Sequence, residues 1–301
     1  MALPGYDSIE QAIRESFGEN VSLKESRTCY GGDINTAKIL LLSDGRSVFM
    51  KSNSARNGSF FDAEEEGIKA IADTESIKTP NLICKGKDES RNLSFLMMDV
   101  IESGNATVST WTDMGHAFAD MHLADTSAFV NGGKYGFLHD NYIGASVQIN
   151  TPKENWVAFF RECRLEPQIR MAEKKMDSHV LKASVRLLDK LDLYLTEPLK
   201  PSLLHGDMWG GNHLIDENGE AVLIDPAAYV GHAEADLAMT ELFRPMPKVF
   251  YEAYYEKNPM ADGYRDRREL YNLYHMLNHF NLFGYAYYDS VAGTILHYAG
   301  K

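Results

Sequence analysis

The chain has 301 residues, 44% of them hydrophobic and 24% charged, with a formal net charge of −13. That length holds one large domain or two lobes around an ample core, and an acidic balance with no Lys/Arg run argues against a nucleic-acid or anionic-membrane partner. Three widely spaced cysteines, Cys29, Cys84 and Cys163, without a CxxC pair, argue against a disulfide framework or a Cys-ligated zinc site and point to a reducing compartment.

Residues 1–20 carry Asp7, Glu10, Glu15 and Glu19 and lack the basic and apolar regions of a signal peptide. No apolar run approaches the ~18 residues of a membrane span, so a cytoplasmic location is expected. Residues 9–17 have the pattern of a short amphipathic helix. After Tyr30-Gly31-Gly32-Asp33-Ile34-Asn35, apolar runs at 37–42 and 48–51 flank Ser43-Asp44-Gly45-Arg46, which predicts a hairpin. Residues 60–72 read as a helix and 93–99 as another strand. Small and polar residues at Glu102-Ser103-Gly104-Asn105 place a lobe boundary there, dividing the chain into 1–102 and 103–301. Trp111, Met114, Phe118 and Met121 follow helical spacing in 107–124. Residues 152–175 repeat the theme with Trp156, Phe159, Phe160 and Cys163, and Pro152 suits a first helical turn. Residues 178–195 and 264–285 are further helices. The expected fold class is α+β, a small β-rich N-lobe followed by a larger α-helical C-lobe.

The most informative stretch is His205-Gly206-Asp207-Met208-Trp209-Gly210-Gly211-Asn212, followed by Ile224-Asp225-Pro226. Asn212 leads into His213-Leu214-Ile215, Asp216-Glu217-Asn218-Gly219 is a turn signal, and Ala221-Val222-Leu223-Ile224 runs back to Asp225. In such a hairpin the open ends lie side by side. The Asn212 amide oxygen and the Asp225 carboxylate then meet, as Mg2+ on a nucleotide requires. Asp207, in the loop entering the hairpin, is placed to accept a hydrogen bond from a substrate hydroxyl and align it for in-line attack; His205 reads as a structural loop residue. A turn rich in Asp and Asn would explain an isolated HxD…N. With Ile224-Asp225 at the right remove, a kinase using ATP and Mg2+ is favoured.

A kinase in so acidic a chain needs a local cation. Lys51 ends the strand 47–51 and shares a face with Phe49 by period two. Strand-end lysines are ordinarily solvated, but the following helix carries Phe61, Glu64, Ile68 and Ile71 on one stripe. A Glu inside an inward-facing stripe needs a partner, and Lys51 is the natural one; Glu65 and Glu66 fall off the stripe. The pair would aim Lys51 at the α- and β-phosphates. Gly31 and Gly32, ahead of Lys51, allow close backbone approach to phosphate, although Asp33 is an unexpected neighbour for a triphosphate. The strand through Leu96-Met97-Met98-Asp99-Val100-Ile101 leads to the interlobe boundary, where adenine would meet backbone groups and apolar side chains around Met98 and Val100; a plain core strand is equally compatible. Asp236 reads first as an N-cap or first-turn acid, with bracing of the catalytic loop as a further role. His122 and His279, inside helical apolar patterns, read as satisfied core residues.

These residues resemble the fructosamine kinase / ketosamine-3-kinase family. The resemblance is carried by residues 204–212, by Ile224-Asp225-Pro226-Ala227, and by Glu234-Ala235-Asp236-Leu237-Ala238-Met239-Thr240-Glu241-Leu242-Phe243. Further blocks agree: Asp140-Asn141-Tyr142-Ile143-Gly144 with Gln148 and Asn150, Arg164-Leu165-Glu166-Pro167-Gln168, and Leu277-Asn278-His279-Phe280-Asn281. The resemblance implies a protein-kinase-like two-lobe fold and ATP- and Mg2+-dependent phosphorylation of the sugar 3-hydroxyl of ketosamines. Its substrates would be ribulosamine, fructosamine or erythrulosamine adducts on lysine, as small molecules or glycated proteins, and the outcome would be deglycation by a monomer or homodimer. It matches Asp207 to the catalytic base, Asn212 and Asp225 to the metal ligands, and Lys51 and Glu64 to the nucleotide ion pair. It puts Trp209, Asn141, Gln148 and His279 on the substrate side. Three positions depart from the family: Asp33 where many relatives have Cys, Asp99 where Glu is common, and Gly210 where Ser is frequent. The loss of the Cys puts redox-sensitive dimer formation in doubt. The rival reading is a small-molecule kinase of the aminoglycoside, choline or homoserine type, which shares HxD…N…D but not the Asn141 and Arg164 blocks. A pseudokinase is disfavoured because Lys51, Asp207, Asn212 and Asp225 are all present.

Overall fold

A computed structural model describes residues 3–29 and 34–300; the Gly31-Gly32 turn lies outside the described residues. Six strands near the N-terminus, β1 (Gly5–Tyr6), β2 (Leu23–Cys29), β3 (Thr36–Leu42), β4 (Ser47–Ser54), β5 (Leu82–Asp88) and β6 (Leu93–Met98), form one sheet in the order β1-β5-β6-β4-β3-β2. Alternation along β4 decides what each face covers. Val48 and Met50 pack with Ile9, Ala12 and Ile13 of helix α1 (Ile9–Phe17). Phe49 points the other way and joins Phe61 and Ile68 of helix α2 (Ser59–Ala72), together with Leu96 and Met98. Lys51, two residues beyond Phe49, therefore faces α2. The expected hairpin is present, with β3 and β4 paired from Thr36↔Ser52 to Leu41↔Ser47. Sequence patterning missed β2: its LKESRTC run is almost wholly exposed, because an edge strand needs no apolar face.

The rest of the chain is mainly helical: α3 (Val108–Leu123), α4 (Trp156–Phe159), α5 (Glu166–Ala172), α6 (Ser178–Asp189), α7 (Ala233–Thr240), α8 (Lys248–Lys257), α9 (Tyr264–Phe283) and α10 (Tyr288–Gly300). Helix α3 packs on α8, α7 on α9, and α10 on both α6 and α9, around the largest apolar core. The helix expected over 152–175 is corrected in two ways. It starts at Trp156, where the Asn155 side chain accepts from Ala158 N at 2.8 Å, and Pro152 precedes it. Its middle, Phe160–Leu165, is a π-helical turn. Pro167 has no N–H to give the Cys163 carbonyl, and the Arg164 guanidinium donates to that oxygen instead, at 3.0 Å.

Three two-stranded pieces position the chemistry: β7 (Asn141–Ile143) with β8 (Ser146–Gln148), β9 (Ser202–Leu204) with β12 (Tyr229–Gly231), and β10 (His213–Ile215) with β11 (Ala221–Leu223). The segment leaving β6 reaches the β10–β11 hairpin through Gly104, whose N–H donates to Ile215 O at 2.9 Å. A Cβ at Gly104 would lie 1.9 Å from Asp216 O, so only glycine allows this approach. Among the described residues, no helix is long and apolar enough to cross a membrane.

Candidate active site

The hairpin register does what its sequence promised. His213 pairs with Leu223, and Ile224 N donates to Asn212 O at 3.1 Å, so Asn212 and Asp225 occupy the adjacent open ends. Asn212 Nδ2 donates to Asp207 O at 2.8 Å and to Asp207 Oδ2 at 3.0 Å. Its amide orientation is thereby fixed, and its Oδ1 is left without a partner among the described residues. Asp225 sits at φ 56°, a left-handed conformation that Asp tolerates better than most residues. Its Oδ1 accepts from Lys51 Nζ and its Oδ2 has no partner among the described residues. Two free hard oxygens, one amide and one carboxylate, fit Mg2+, which fills its other positions with water and phosphate.

Lys51 Nζ lies 2.5 Å from Glu64 Oε1 and also contacts Asp225 Oδ1. Burial alone would lower the Lys51 pKa, but the Glu64 and Asp225 carboxylates outweigh it and hold the ammonium above its ordinary value. The expected pair is therefore present, and Asp225 joins it. Glu65, the next residue along α2, is also buried: it accepts from Leu3 N at 3.1 Å and meets Lys85 of β5 at 2.8 Å. Glu66 contacts His139 at 2.8 Å.

The loop carrying Asp207 is pinned from behind. Asp236 is almost fully buried; its carboxylate accepts from His205 N at 2.6 Å and Gly206 N at 2.8 Å, and lies 3.3 Å from His122 Nε2. Asp236 is the expected first-turn acid of α7 but not its N-cap, which is His232; its carboxylate also braces the loop that carries Asp207. Helix α7 is buried on every side, so an acid within it must find partners; that all-round apolar run was the available signal. His205 Nε2 donates to Ile224 O at 2.9 Å, which leaves Nδ1 to accept from Asp207 N at 3.3 Å. Burial lowers the His205 pKa, so the ring is a neutral spacer between the two halves of the site. A Cβ at Gly206 (φ +80°) would fall 2.0 Å from Ala227 O. Asp236→Ala should strand both N–H groups and His122, cost about 3–5 kcal/mol of stability, and lower kcat in the folded fraction; denaturant melts and kcat on the same preparation check this.

Burial pushes the Asp207 carboxyl up from 3.8 to about 7, and the negative charges of Asp225 and Asp236 add to the rise against the Asn212 hydrogen bond. Its Oδ1 has no hydrogen-bond partner among the described residues.

The acceptor-side expectations divide. Trp209 is half-buried and meets Phe243 edge-on at 6.3 Å, and Phe243 lies 4.8 Å from the His279 ring. His279 Nδ1 donates to His275 O at 2.8 Å, and burial lowers its pKa, so Nε2 carries a lone pair. Trp209 and His279 thus belong to one aromatic wall, linked by the exposed Phe243, which no sequence signal marks as a site residue. Asn141 and Gln148 do not join it. They are buried and spend their amides on the backbone of Ala228 and Ala227, at 2.7 and 2.9 Å; their expected substrate contact is corrected to support of the segment after Asp225. Met98 is a buried residue of a central strand, paired with Phe49 on one side and Leu82 on the other. Val100, just beyond, is half-buried, with no backbone hydrogen bond to another described residue.

This arrangement has the architecture of the protein-kinase-like phosphotransferases. The chain superimposes on a thermostable mutant of an aminoglycoside phosphotransferase with a TM-score of 0.62 at 18% identity, covering 97% of this chain and 98% of the other. More narrowly, the fructosamine kinase family model matches residues 6–299. A probable ketoamine kinase of Synechocystis is 40% identical over 283 residues, 94% of this chain and 92% of the relative. The chloroplastic protein-ribulosamine 3-kinase of rice (Oryza sativa subsp. japonica) is 37% identical over 297 residues, covering 98% and 84%. A Haemophilus somnus crystal structure provisionally named as a fructosamine-3-kinase gives a TM-score of 0.85 at 28% identity over 97% and 96% of the two chains. The protein belongs to the fructosamine kinase family and is an ATP-dependent phosphotransferase.

Proposed function

We propose that the protein transfers the γ-phosphoryl group of ATP to the sugar 3-hydroxyl of ketosamines, namely ribulosamine, fructosamine or erythrulosamine adducts on lysine. Inorganic phosphate is a better leaving group than hydroxide, so the enaminol form of the adduct loses phosphate from C3, and water adding to the resulting C1 imine frees the amine and leaves a dicarbonyl sugar: deglycation. The observation that carries this reading is Asp207: its Oδ1 has no hydrogen-bond partner among the described residues, and its Oδ2 and backbone carbonyl hold the Asn212 amide. The names of the Synechocystis and rice relatives support the acceptor class.

Mg-ATP supplies the electrophilic phosphorus and the charge neutralisation that phosphoryl transfer needs. Asn212 and Asp225 hold the metal. Lys51, kept protonated by Glu64 and Asp225, offers its ammonium to the nucleotide phosphates. Asp207 orients the acceptor hydroxyl and takes its proton, and Trp209, Phe243 and His279 flank the sugar and its amine substituent. In this reading residues 1–102 cover the nucleotide and 103–301 carry the acceptor site. The enzyme works in the cytoplasm as a monomer or homodimer, without a nucleic-acid or membrane partner.

The test is phosphate transfer from Mg-ATP to ribulosyl-lysine and fructosyl-lysine, free and on a glycated protein, alongside an aminoglycoside and choline. Transfer to a ketosamine supports the reading and ranks the sugars. Turnover of only the aminoglycoside or choline would overturn the acceptor assignment in favour of the small-molecule kinase alternative.

A further inference from the structure

We propose that Arg164, Asn150, Asn141, Gln148 and Tyr274 form one positioning network that holds Asp225 in its metal-binding pose; the proposal rests on the metal role assigned to Asp225 above. From Asp225 the chain passes through Pro226 to Ala227 and Ala228. There three bonds catch it: Gln148 Nε2 to Ala227 O at 2.9 Å, Asn141 Nδ2 to Ala228 O at 2.7 Å, and Ala227 N to His205 O at 2.9 Å. Asp225 is therefore tied on both sides, by the hairpin before it and this clamp after it. Its left-handed φ of 56° is a conformation that persists only where the surroundings over-determine it.

Each amide in the clamp is oriented by the next group. Asn141 Oδ1 accepts from Gln148 Nε2 at 2.8 Å and from Asn150 Nδ2 at 2.9 Å, so its NH2 must face Ala228. Gln148 Oε1 accepts from the Tyr274 hydroxyl at 2.8 Å, so its NH2 must face Ala227. Asn150 Oδ1 accepts from Arg164 Nη2 at 2.8 Å, which turns its NH2 toward Asn141. Arg164 anchors the chain of bonds. It is fully buried, has no carboxylate partner among the described residues, and stacks 3.9 Å over Tyr229 and 4.6 Å over Phe159. A buried guanidinium without an acid is costly; the aromatic faces and its bonds to Ile149 O and Cys163 O offset part of that. What it fixes is an otherwise ambiguous run of amides. None of the five residues need touch substrate.

The full-length Tyr274→Phe and Gln148→Met variants test this. Tyr274→Phe removes only the hydroxyl that orients Gln148 and should keep the fold; Gln148→Met also removes the donor to Ala227. Calorimetry measures binding of a non-hydrolysable ATP analogue with and without Mg2+, and electron paramagnetic resonance measures Mn2+ binding in the presence of that analogue. By analogy with groups that orient metal ligands, Gln148→Met should weaken metal–nucleotide binding about 10-fold or more, with a smaller loss in Tyr274→Phe. Metal-free nucleotide affinity and the ketosamine KM should stay within about twofold of wild type, since neither ligand touches the clamp. A raised ketosamine KM with unchanged metal–nucleotide affinity would return Gln148 to the acceptor site and overturn the proposal. A lowered melting temperature with all binding constants unchanged would also overturn it, as mere scaffolding. Wild-type protein that binds the Mg-nucleotide yet phosphorylates no ketosamine would instead sink the acceptor reading and leave this test intact.

Discussion

Asp207→Asn should abolish phosphoryl transfer and at the same time make the ligand-free protein harder to unfold at pH 8. The activity loss follows from the role: an amide cannot take the acceptor proton, and losing a positioned base costs about 10²–10⁴-fold. The gain in stability follows from the cost of the native carboxylate. Burial, with Asp225 and Asp236, raises its pKa from 3.8 to about 7. A folded-state pKa above the unfolded one means that the folded protein binds this proton more tightly. The resulting stability is complete below the unfolded value and is lost as pH rises through about 7. At pH 8 the ionised group thus weighs against folding, by at most about 4 kcal/mol from the size of the shift, and by less once water reaching this half-buried side chain is counted. Asn keeps the shape and the Asn212 contact without the charge. The variant's melting temperature should exceed that of wild type by about 2–6 °C at pH 8, and the gap should close toward pH 4. A variant that keeps a tenth of wild-type kcat, or one whose stability advantage does not depend on pH, would remove Asp207 from its place.

What the sequence made legible was whatever local geometry carries. Asn212 and Asp225 meet because a tight turn fixes register across one short hairpin. Lys51 and Glu64 meet because period two sets the face of β4, and a stripe of three apolar residues sets the face of α2. Asp236 was harder: its partners are backbone N–H groups some thirty residues away, and in a one-dimensional reading a first-turn acid looks the same whether it caps a helix or braces a loop. Asn141 and Gln148 were assigned to the substrate because their block resembled the family, but resemblance does not say which way an amide faces. Their partners, Ala227 and Ala228, have featureless side chains and act only through carbonyls. The π-helical turn depends on where Arg164 can reach once Pro167 breaks the bonding pattern, and β2 depends on a neighbouring strand rather than on its own residues. Glu65, off the predicted stripe, is buried through contacts to β5 and Leu3 that helical periodicity does not encode.

Lys51→Met should combine the loss of activity with a loss of stability that a second substitution repairs. Removing the ammonium leaves Glu64 and Asp225 without their shared cation. Asp225 retains 40% of its side-chain exposure and can turn to water, whereas Glu64 keeps only 11%, so Glu64 carries most of the damage. Breaking a buried ion pair from one side costs about 3–5 kcal/mol, and removing a cation aimed at the phosphates should lower kcat/KM by about 10²–10³-fold. Burial already raises the Glu64 pKa against the pull of Lys51, and without Lys51 the rise is larger. Glu64 can then take up a proton in acid, so the stability deficit should be smaller at pH 5 than at pH 8. Lys51→Met/Glu64→Leu removes both charges from the interior and should recover most of the lost stability, as apolar replacements of buried pairs do, while phosphoryl transfer stays lost. Urea melts of the four proteins at both pH values, with kcat/KM for Mg-ATP on the same samples, separate the two effects. A double variant no more stable than Lys51→Met would show that Glu64 was not the stranded charge. A single variant retaining a tenth of wild-type kcat/KM would show that this ammonium does not serve the nucleotide.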